Sequence, residues 1–344
     1  MRVWLFSNIK DEENVAEWCL HHARFGFETI YIFDHQSETP ISKDLEPIQE
    51  RIAKYGTKIE IQVIDWKLPI KTRAMNEALS LCKKNNVDWL IYIDGDEYLS
   101  LHPRHNDSIL NLISSAQTKF ENGPDAEIVR QIPAAISQQT LPRAFQSLAK
   151  GRMASASTTL TPRTTKRQVG AIGINWLMFG SSHLEKQPES KTLLDQFVKC
   201  SGTLDMHVKT IACVKFCVSA TNPHYYNLLP TAVTITAGGE LANHAAPADL
   251  SPELKNLVSQ FRSRTFGPFI FNYRFPVDDE RVDAFLAHYV VQSYDRHYHR
   301  KVIRATDDCG VLRTAGKAPD KEEFHKQFNE MTYLGMKERY AVQP

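Results

Sequence analysis

The stretch Asp88-Trp89-Leu90-Ile91-Tyr92-Ile93-Asp94-Gly95-Asp96-Glu97-Tyr98-Leu99 is a short apolar run that stops abruptly on two carboxylates one residue apart, with a third beside them. An unbroken apolar run of strand length predicts a strand buried on both faces. In an open α/β sheet, ligands bind outside the C-terminal ends of such strands. Asp94, Asp96 and Glu97 are therefore expected at the mouth of a site. Carboxylates that close together repel one another unless a cation intervenes. A hard divalent ion such as Mg²⁺ or Mn²⁺ takes oxygen ligands from few side chains and from substrate phosphates. The pattern suggests a metal holding a diphosphate: one Asp can meet a ribose and the other the ion, whose charge offsets that building on a departing nucleoside diphosphate. Gly95 leaves the backbone open to close approach by a ligand. A solvated Asp/Gly turn is the competing reading. A calcium-binding loop is excluded, because Tyr98-Leu99-Ser100-Leu101 lacks its ligand spacing.

Upstream of this run, strand-like and helix-like segments alternate. Residues 2–7 are short and apolar, 12–25 carry Val15, Ala16, Trp18, Cys19 and His22 at helical spacing, and 28–33 are β-rich and end on Asp34. Residues 45–55 read as a helix and 58–64 as a strand; 71–85 form a helix with Ala74, Ala78, Leu79 and Cys82 inward, leading into the strand 89–93. This alternation predicts an α/β fold with a parallel, doubly wound sheet. Asp34 would then share the sheet edge with Asp94, able to accept hydrogen bonds from a base or ribose, or simply to form a turn. Arg73 and Asn76, on the helix before the acidic strand, are candidates for meeting a diphosphate or for a solvated face. Beyond residue 100, residues 108–120 read as a helix and 131–167 as a long polar loop or mobile insertion. Residues 168–180 and 210–220 read as strands, and the tail from 279 reads as helical, dense in aromatic and basic residues.

At 344 residues, 42% hydrophobic and 24% charged, the chain is long enough for a sizeable core. Its 41 Lys and Arg nearly cancel its 40 Asp and Glu, so bulk charge gives no reason to expect nucleic acid or an anionic membrane as partner. Apolar stretches break well before the ~20 residues of a membrane span, and Met1-Arg2-Val3-Trp4-Leu5-Phe6 reaches polar residues too soon for a signal peptide, so no transmembrane segment and a cytoplasmic location are expected. Cys19, Cys82, Cys200, Cys213, Cys217 and Cys309 show no CxxC and no zinc-ligand spacing, which fits reduced thiols.

Four motifs occur in order: Ile9-Lys10-Asp11-Glu12 with Asn14; Glu17-Trp18-Cys19-Leu20-His21-His22 with Phe25-Gly26-Phe27; Tyr31-Ile32-Phe33-Asp34-His35-Gln36-Ser37; and the acidic strand end. In this order they resemble the family 92 and family 2-like glycosyltransferases of the GT-A fold. The likeness continues through Asn175-Trp176-Leu177-Met178-Phe179-Gly180-Ser181-Ser182-His183, through Val214-Lys215 and His224 as matches to a later Lys and His, and through His288-Tyr289-Val290-Val291-Gln292-Ser293. Gln292 stands where the family has Lys, Ala287 where it has Asn, and Tyr98 where it has Phe.

The resemblance implies a Rossmann-like, mostly parallel sheet with helices on both faces, a β-rich acceptor half and a helical C-terminal tail. Residues 1–125 would form the nucleotide-sugar-binding half, 126–245 the acceptor side with its loop near 131–167, and 246–344 a helical extension. It further implies a nucleotide-sugar donor contacted by Lys10, Glu12, Asp34 and Asp94, to which Arg73 and Asn76 are added by their position on the preceding helix, Mn²⁺ or Mg²⁺ on Asp94, Asp96 and His288, and a glycan or other hydroxyl acceptor. Transfer would invert the anomeric centre, with Glu185, Glu189 or Asp195 as base. A homo-oligomer is compatible with all of this. Two other readings compete: a haloacid-dehalogenase-like phosphohydrolase, whose Asp-x-Asp normally ends the first strand, and a nucleotide-sugar-binding module without turnover.

Overall fold

The structure, a computed structural model, describes residues 1–130, 163–188, 192–242, 275–300 and 319–341. Most of the loop expected over 131–167, Glu189, Cys309 and much of the expected C-terminal extension lie outside the described residues. Among the described residues nine strands form one sheet: β1 (Val3–Ile9), β2 (Thr29–Asp34), β3 (Lys58–Val63), β4 (Trp89–Tyr92), β5 (Glu97–Leu101), β6 (Gln168–Met178), β7 (Val208–Cys213), β8 (Ala232–Thr236) and β9 (Ala284–His288). Their order is β3-β2-β1-β4-β7-β6-β9-β5, with β8 beside β6. The first four strands are parallel, as the β-α-β alternation predicts. From there the sheet is mixed: β7 runs antiparallel to both β4 and β6, and β5 antiparallel to β9.

The two faces of the sheet carry separate apolar layers. Val3, Leu5, Trp89 and Ile91 point to one side, against α1 (Val15–Ala23) and the later helix over 109–121. Trp4, Phe6, Leu90 and Tyr92 point to the other, against α2 (Lys71–Lys84) through Ala74, Met75, Ala78, Leu79 and Cys82. Successive strand residues thus alternate faces and both faces are covered, which is why β1 and β4 read as continuous apolar runs. The second apolar helix, α3 (Ile109–Glu121), starts at Ser108, whose hydroxyl accepts from the Asn111 N–H.

Three expectations fail for local physical reasons. The helix expected over 45–55 is broken into short helical turns, with Pro47 in the 3₁₀ turn Glu46–Ile48. The strand expected over 210–220 is interrupted by a 3₁₀ turn at Val214–Phe216. The tail from 279 is not helical at its start: Ala284–His288 is a strand buried along its whole length between β6 and β5. Its five residues are too few to separate period 2 from period 3.6 by pattern.

Strand β5 pairs with β9 on one side only, and α1 meets its other backbone edge. The Trp18 indole N–H donates to the Glu97 carbonyl at 2.9 Å, His21 Nε2 bonds the Leu99 carbonyl at 2.8 Å, and the Leu99 N–H donates to His22 Nε2 at 3.2 Å. The Glu-Trp-Cys-Leu-His-His motif is therefore a clamp on β5. Burial pushes the His22 imidazole down to about 3, although its bond to the Trp18 carbonyl opposes the shift, so it is neutral in the fold. A histidine depressed below its ordinary value makes stability rise with pH between the folded and unfolded values. His22→Gln should therefore be the less stable protein near pH 7, with the gap to wild type narrowing as pH falls towards 4. Melting temperatures of both proteins across that range check this; a gap that widens on acidification contradicts it.

Candidate functional site

Strand β4 ends at Tyr92, and the chain then turns through Asp94, Gly95 and Asp96 before crossing to β5 at the far side of the sheet. The acidic turn is thus a crossover between strands that are not neighbours. Packing does not demand glycine at 95, since a Cβ there would lie 3.5 Å from Glu12 Cγ, an ordinary contact. The Glu97 carboxylate accepts from the Asp94 N–H at 2.9 Å, and the Asp96 carbonyl accepts from the Tyr289 N–H at 2.9 Å. Both ends of the turn are therefore pinned.

Cations face this turn from three other parts of the chain. Lys71, in the first turn of α2, lies 2.8 Å from Asp94 Oδ1, and Lys209 of β7 lies 3.2 Å from Asp94 Oδ2. Lys209 is 1% exposed; it also lies 3.6 Å from Glu97 Oε1 and donates to the Pro223 carbonyl at 3.1 Å. Arg300 donates to Asp96 Oδ2 at 2.7 Å, and His288, at the end of β9, places Nε2 3.6 Å from Asp96 Oδ1. Burial alone would raise the Asp94 carboxyl, but Lys209 and Lys71 outweigh it and hold it well below the usual carboxylate range. Burial dominates at Glu97, pushing it up to about 7 against the pull of Lys209. Trp176, the β6 residue paired with Leu286 of β9, lies against His288 with ring centroids 4.4 Å apart.

The other expected site residues divide. Asp34 is buried and accepts from the Ser37 N–H at 2.9 Å, which is the turn-forming arrangement. Around it the loops after β1 and β2 are tied together, Asp11 accepting from the Glu38 N–H and Ser37 Oγ from the Asp11 N–H. Lys10 is exposed at the end of β1, and Glu12 lies 3.3 Å from Arg296. Arg73 stacks over Trp66 at 4.4 Å. Asn76 bridges α2 to the backbone of Ala220 with both ends of its amide, a structural tie. Glu185 lies 2.7 Å from Lys321 and 3.5 Å from His325, so it clasps the helix Lys321–Lys326. Asp195 accepts from Thr192 and faces Lys337 at 3.6 Å. Neither Glu185 nor Asp195 has a contact with the acidic turn among those that hold it.

Lys71, Lys209 and Arg300 escape the sequence reading. The signal for Lys209 was present: a single lysine inside Val208-Lys209-Thr210-Ile211-Ala212-Cys213, where a buried strand accepts a charge only if it is paired. Lys215, the lysine that the sequence resemblance singles out, instead sits in the turn after β7 with its ammonium over Phe216 at 4.7 Å. Arg300 lies 204 residues from Asp96, beyond any spacing argument.

As metal ligands the three expected residues are not equivalent. Both oxygens of Asp94 are on lysines, so an ion there competes with two ammonium groups. Asp96 Oδ1 and His288 Nε2 face one another, and His288 Nδ1 is buried with no hydrogen-bond partner among the described residues. Mg²⁺ and Mn²⁺ sites that draw on one or two side chains plus substrate oxygens are compatible with that pair. Among the described residues no group of three or more His, Cys, Asp or Glu is placed to enclose an ion without such help.

No family model matches the chain, and no curated protein does. Among solved structures, the chain is similar to S. aureus TarS residues 1–349 in complex with UDP, at 13% identity and a TM-score of 0.27 over 35% of this chain and 33% of that one. It is similar to a second structure of S. aureus TarS residues 1–349 at 15% identity and a TM-score of 0.26, over 33% of this chain and 32% of that one. The chain spans about a third of the length of each; overlap of that quality is local and fixes neither fold nor activity. Among the described residues no helix is long and apolar enough to cross a membrane.

Lys209→Met should lower stability by roughly 3 kcal/mol or more, because it leaves Asp94 and Glu97 facing each other without the buried ammonium. Urea denaturation checks it, and an unchanged midpoint shows that the ion pairs carry no net weight.

Proposed function

We propose that the chain transfers a sugar from a nucleoside-diphosphate donor to a hydroxyl acceptor, with inversion. The observation that carries the reading is the Asp94–Asp96 crossover at the C-terminal edge of a buried strand, ringed by Lys71, Lys209, Arg300 and His288. The four motifs that resemble family 92 and family 2-like glycosyltransferases support it, since the loops after β1 and β2, the helix that clamps β5 and the acidic turn all gather at or behind this one edge.

In this reading, Lys71 and Arg300, each about 15% exposed, swing from the carboxylates to the diphosphate oxygens, a point charge and a bidentate guanidinium respectively. Lys209 stays with Asp94 and Glu97 and holds the turn in place. Asp34 and the tied loops after β1 and β2 form the wall for the nucleoside. Asp96 and His288 would hold Mn²⁺ or Mg²⁺, which would supply Lewis-acid stabilisation of the leaving diphosphate. Asp94 then keeps Lys209 and, having held Lys71 beside the diphosphate position before the donor binds, acts as an orienting group. The acceptor oxygen attacks the anomeric carbon as the bond to the diphosphate breaks, and a base takes the hydroxyl proton.

Release of UDP or GDP from a panel of UDP- and GDP-sugars with Mn²⁺, water serving as acceptor where no other is supplied, tests the reading. Asp96→Asn should reduce release by roughly 100-fold or more, with the circular dichroism spectrum unchanged, and EDTA should do the same to the wild type. Full turnover in chelator defeats the metal assignment. Phosphate release from simple phosphate esters, with no donor turnover, would favour the phosphohydrolase.

A further inference from the structure

Beyond the acidic turn, a second polar pair reaches the same edge. His207 immediately precedes β7, and its Nδ1 lies 2.5 Å from Asp205 Oδ1, which also accepts the His207 backbone N–H at 2.8 Å. The Asp205 backbone is itself fixed: its N–H donates to the Trp176 carbonyl at 2.7 Å and its carbonyl accepts from Asn175 Nδ2 at 2.9 Å. The His207 ring stacks on Trp176 with centroids 5.0 Å apart and planes 18° apart, while His288 touches the same indole. The row therefore reads Asp96, His288, Trp176, His207, Asp205, with a single indole between the imidazole beside the acidic turn and the imidazole beside Asp205. His207 and Asp205 are 23% and 31% exposed at their side chains, so the pair borders solvent while Trp176 is 9% exposed.

We propose that His207, oriented by Asp205, is the base that takes the proton from the acceptor hydroxyl. The proposal rests on the sugar-transfer reading above and supplies the group that Glu185 and Asp195, each committed elsewhere, do not. With Nδ1–H donated to Asp205, the neutral imidazole carries its lone pair on Nε2, and the carboxylate stabilises the imidazolium that forms. In the step, the acceptor O–H proton goes to Nε2 as the oxygen forms its bond to the anomeric carbon. The bond from that carbon to the diphosphate oxygen breaks, and its electron pair leaves with the nucleoside diphosphate. The imidazolium later returns the proton to water. Asp205 is a positioning residue and His207 the catalytic one. The charged and titratable groups around the ring are Asp205 ahead of it, Lys209 on β7, His224 from the segment after Ala220, and His288 across Trp176. His224, buried and near Lys209, is held neutral and does not compete for the proton.

The test is nucleotide release from UDP- and GDP-sugars with Mn²⁺, using the full chain, measured as kcat and KM from pH 5 to 9. His207→Ala should lower kcat by roughly 100-fold or more, leave the donor KM within about threefold, and recover activity when free imidazole is added. Asp205→Asn should lower kcat less and move the acidic limb of the pH profile to lower pH, a shift that a merely structural pair would not cause. Wild-type kcat and an unmoved acidic limb in His207→Ala, with Asp96→Asn still inactive, overturns the base while leaving sugar transfer intact. A kcat loss that imidazole does not restore, accompanied by a lower melting temperature, also overturns it in favour of a packing role. No nucleotide release by the wild type from any donor in the panel overturns the transfer reading and this proposal together.

Discussion

Asp94 and Glu97 meet at an edge largely shut off from water, and the buried Lys209 ammonium between them is what allows the turn to close. A buried carboxylate pair with no cation would be expected to protonate or to open. Here the lysine sits within 3.2 Å of one and 3.6 Å of the other, and it comes from β7, the strand that runs antiparallel to β4. The change from parallel to antiparallel at that point in the sheet is what brings the start of β7, and so Lys209 and His207, beside the end of β4. Topology and electrostatics are therefore one constraint: a parallel strand in that place would present its other end.

The same constraint explains why α1 is nearly all buried. Crossing from β4 to β5 leaves β5 with one unpaired backbone edge, and Trp18, His21 and His22 satisfy it. Neutral imidazoles suit that role because each ring offers one donor and one acceptor in fixed positions. The aromatic and histidine density that marks this helix in the sequence thus belongs to the support of β5 behind the acidic turn.

How far the sequence could be read follows from the range of each interaction. Strands β1, β2 and β4 show in their local patterns because each is apolar over its own length, β3 because it alternates, and helix α2 because its apolar residues recur on one face. Asp94, Asp96 and His288, which a strand end and a motif mark in the sequence, lie together at the acidic turn. Strand β9 was mistaken for the start of a helical tail, since its identity depends on partners contributed by β5 and β6. Lys71, Lys209 and Arg300 reach the turn only through the fold, and Glu185 and Asp195 looked available only because Lys321, His325 and Lys337, which occupy them, are far along the chain. The tie of Asn76 to Ala220 is likewise a contact between segments 144 residues apart. Charge pairs of that separation leave no trace in spacing; a lone charge in an apolar strand, as at Lys209, is the one local sign of them.

Diffraction from crystals grown with Mn²⁺ and UDP or GDP, recorded where manganese scatters anomalously, puts the central claim to its most direct trial. The account predicts an anomalous peak in contact with Asp96 and His288, the diphosphate against Lys71 and Arg300, and Lys209 still on Asp94 and Glu97. A nucleotide bound away from this edge, or an acidic turn whose cations remain in place with no ion and no diphosphate beside it at saturating ligand, would contradict it.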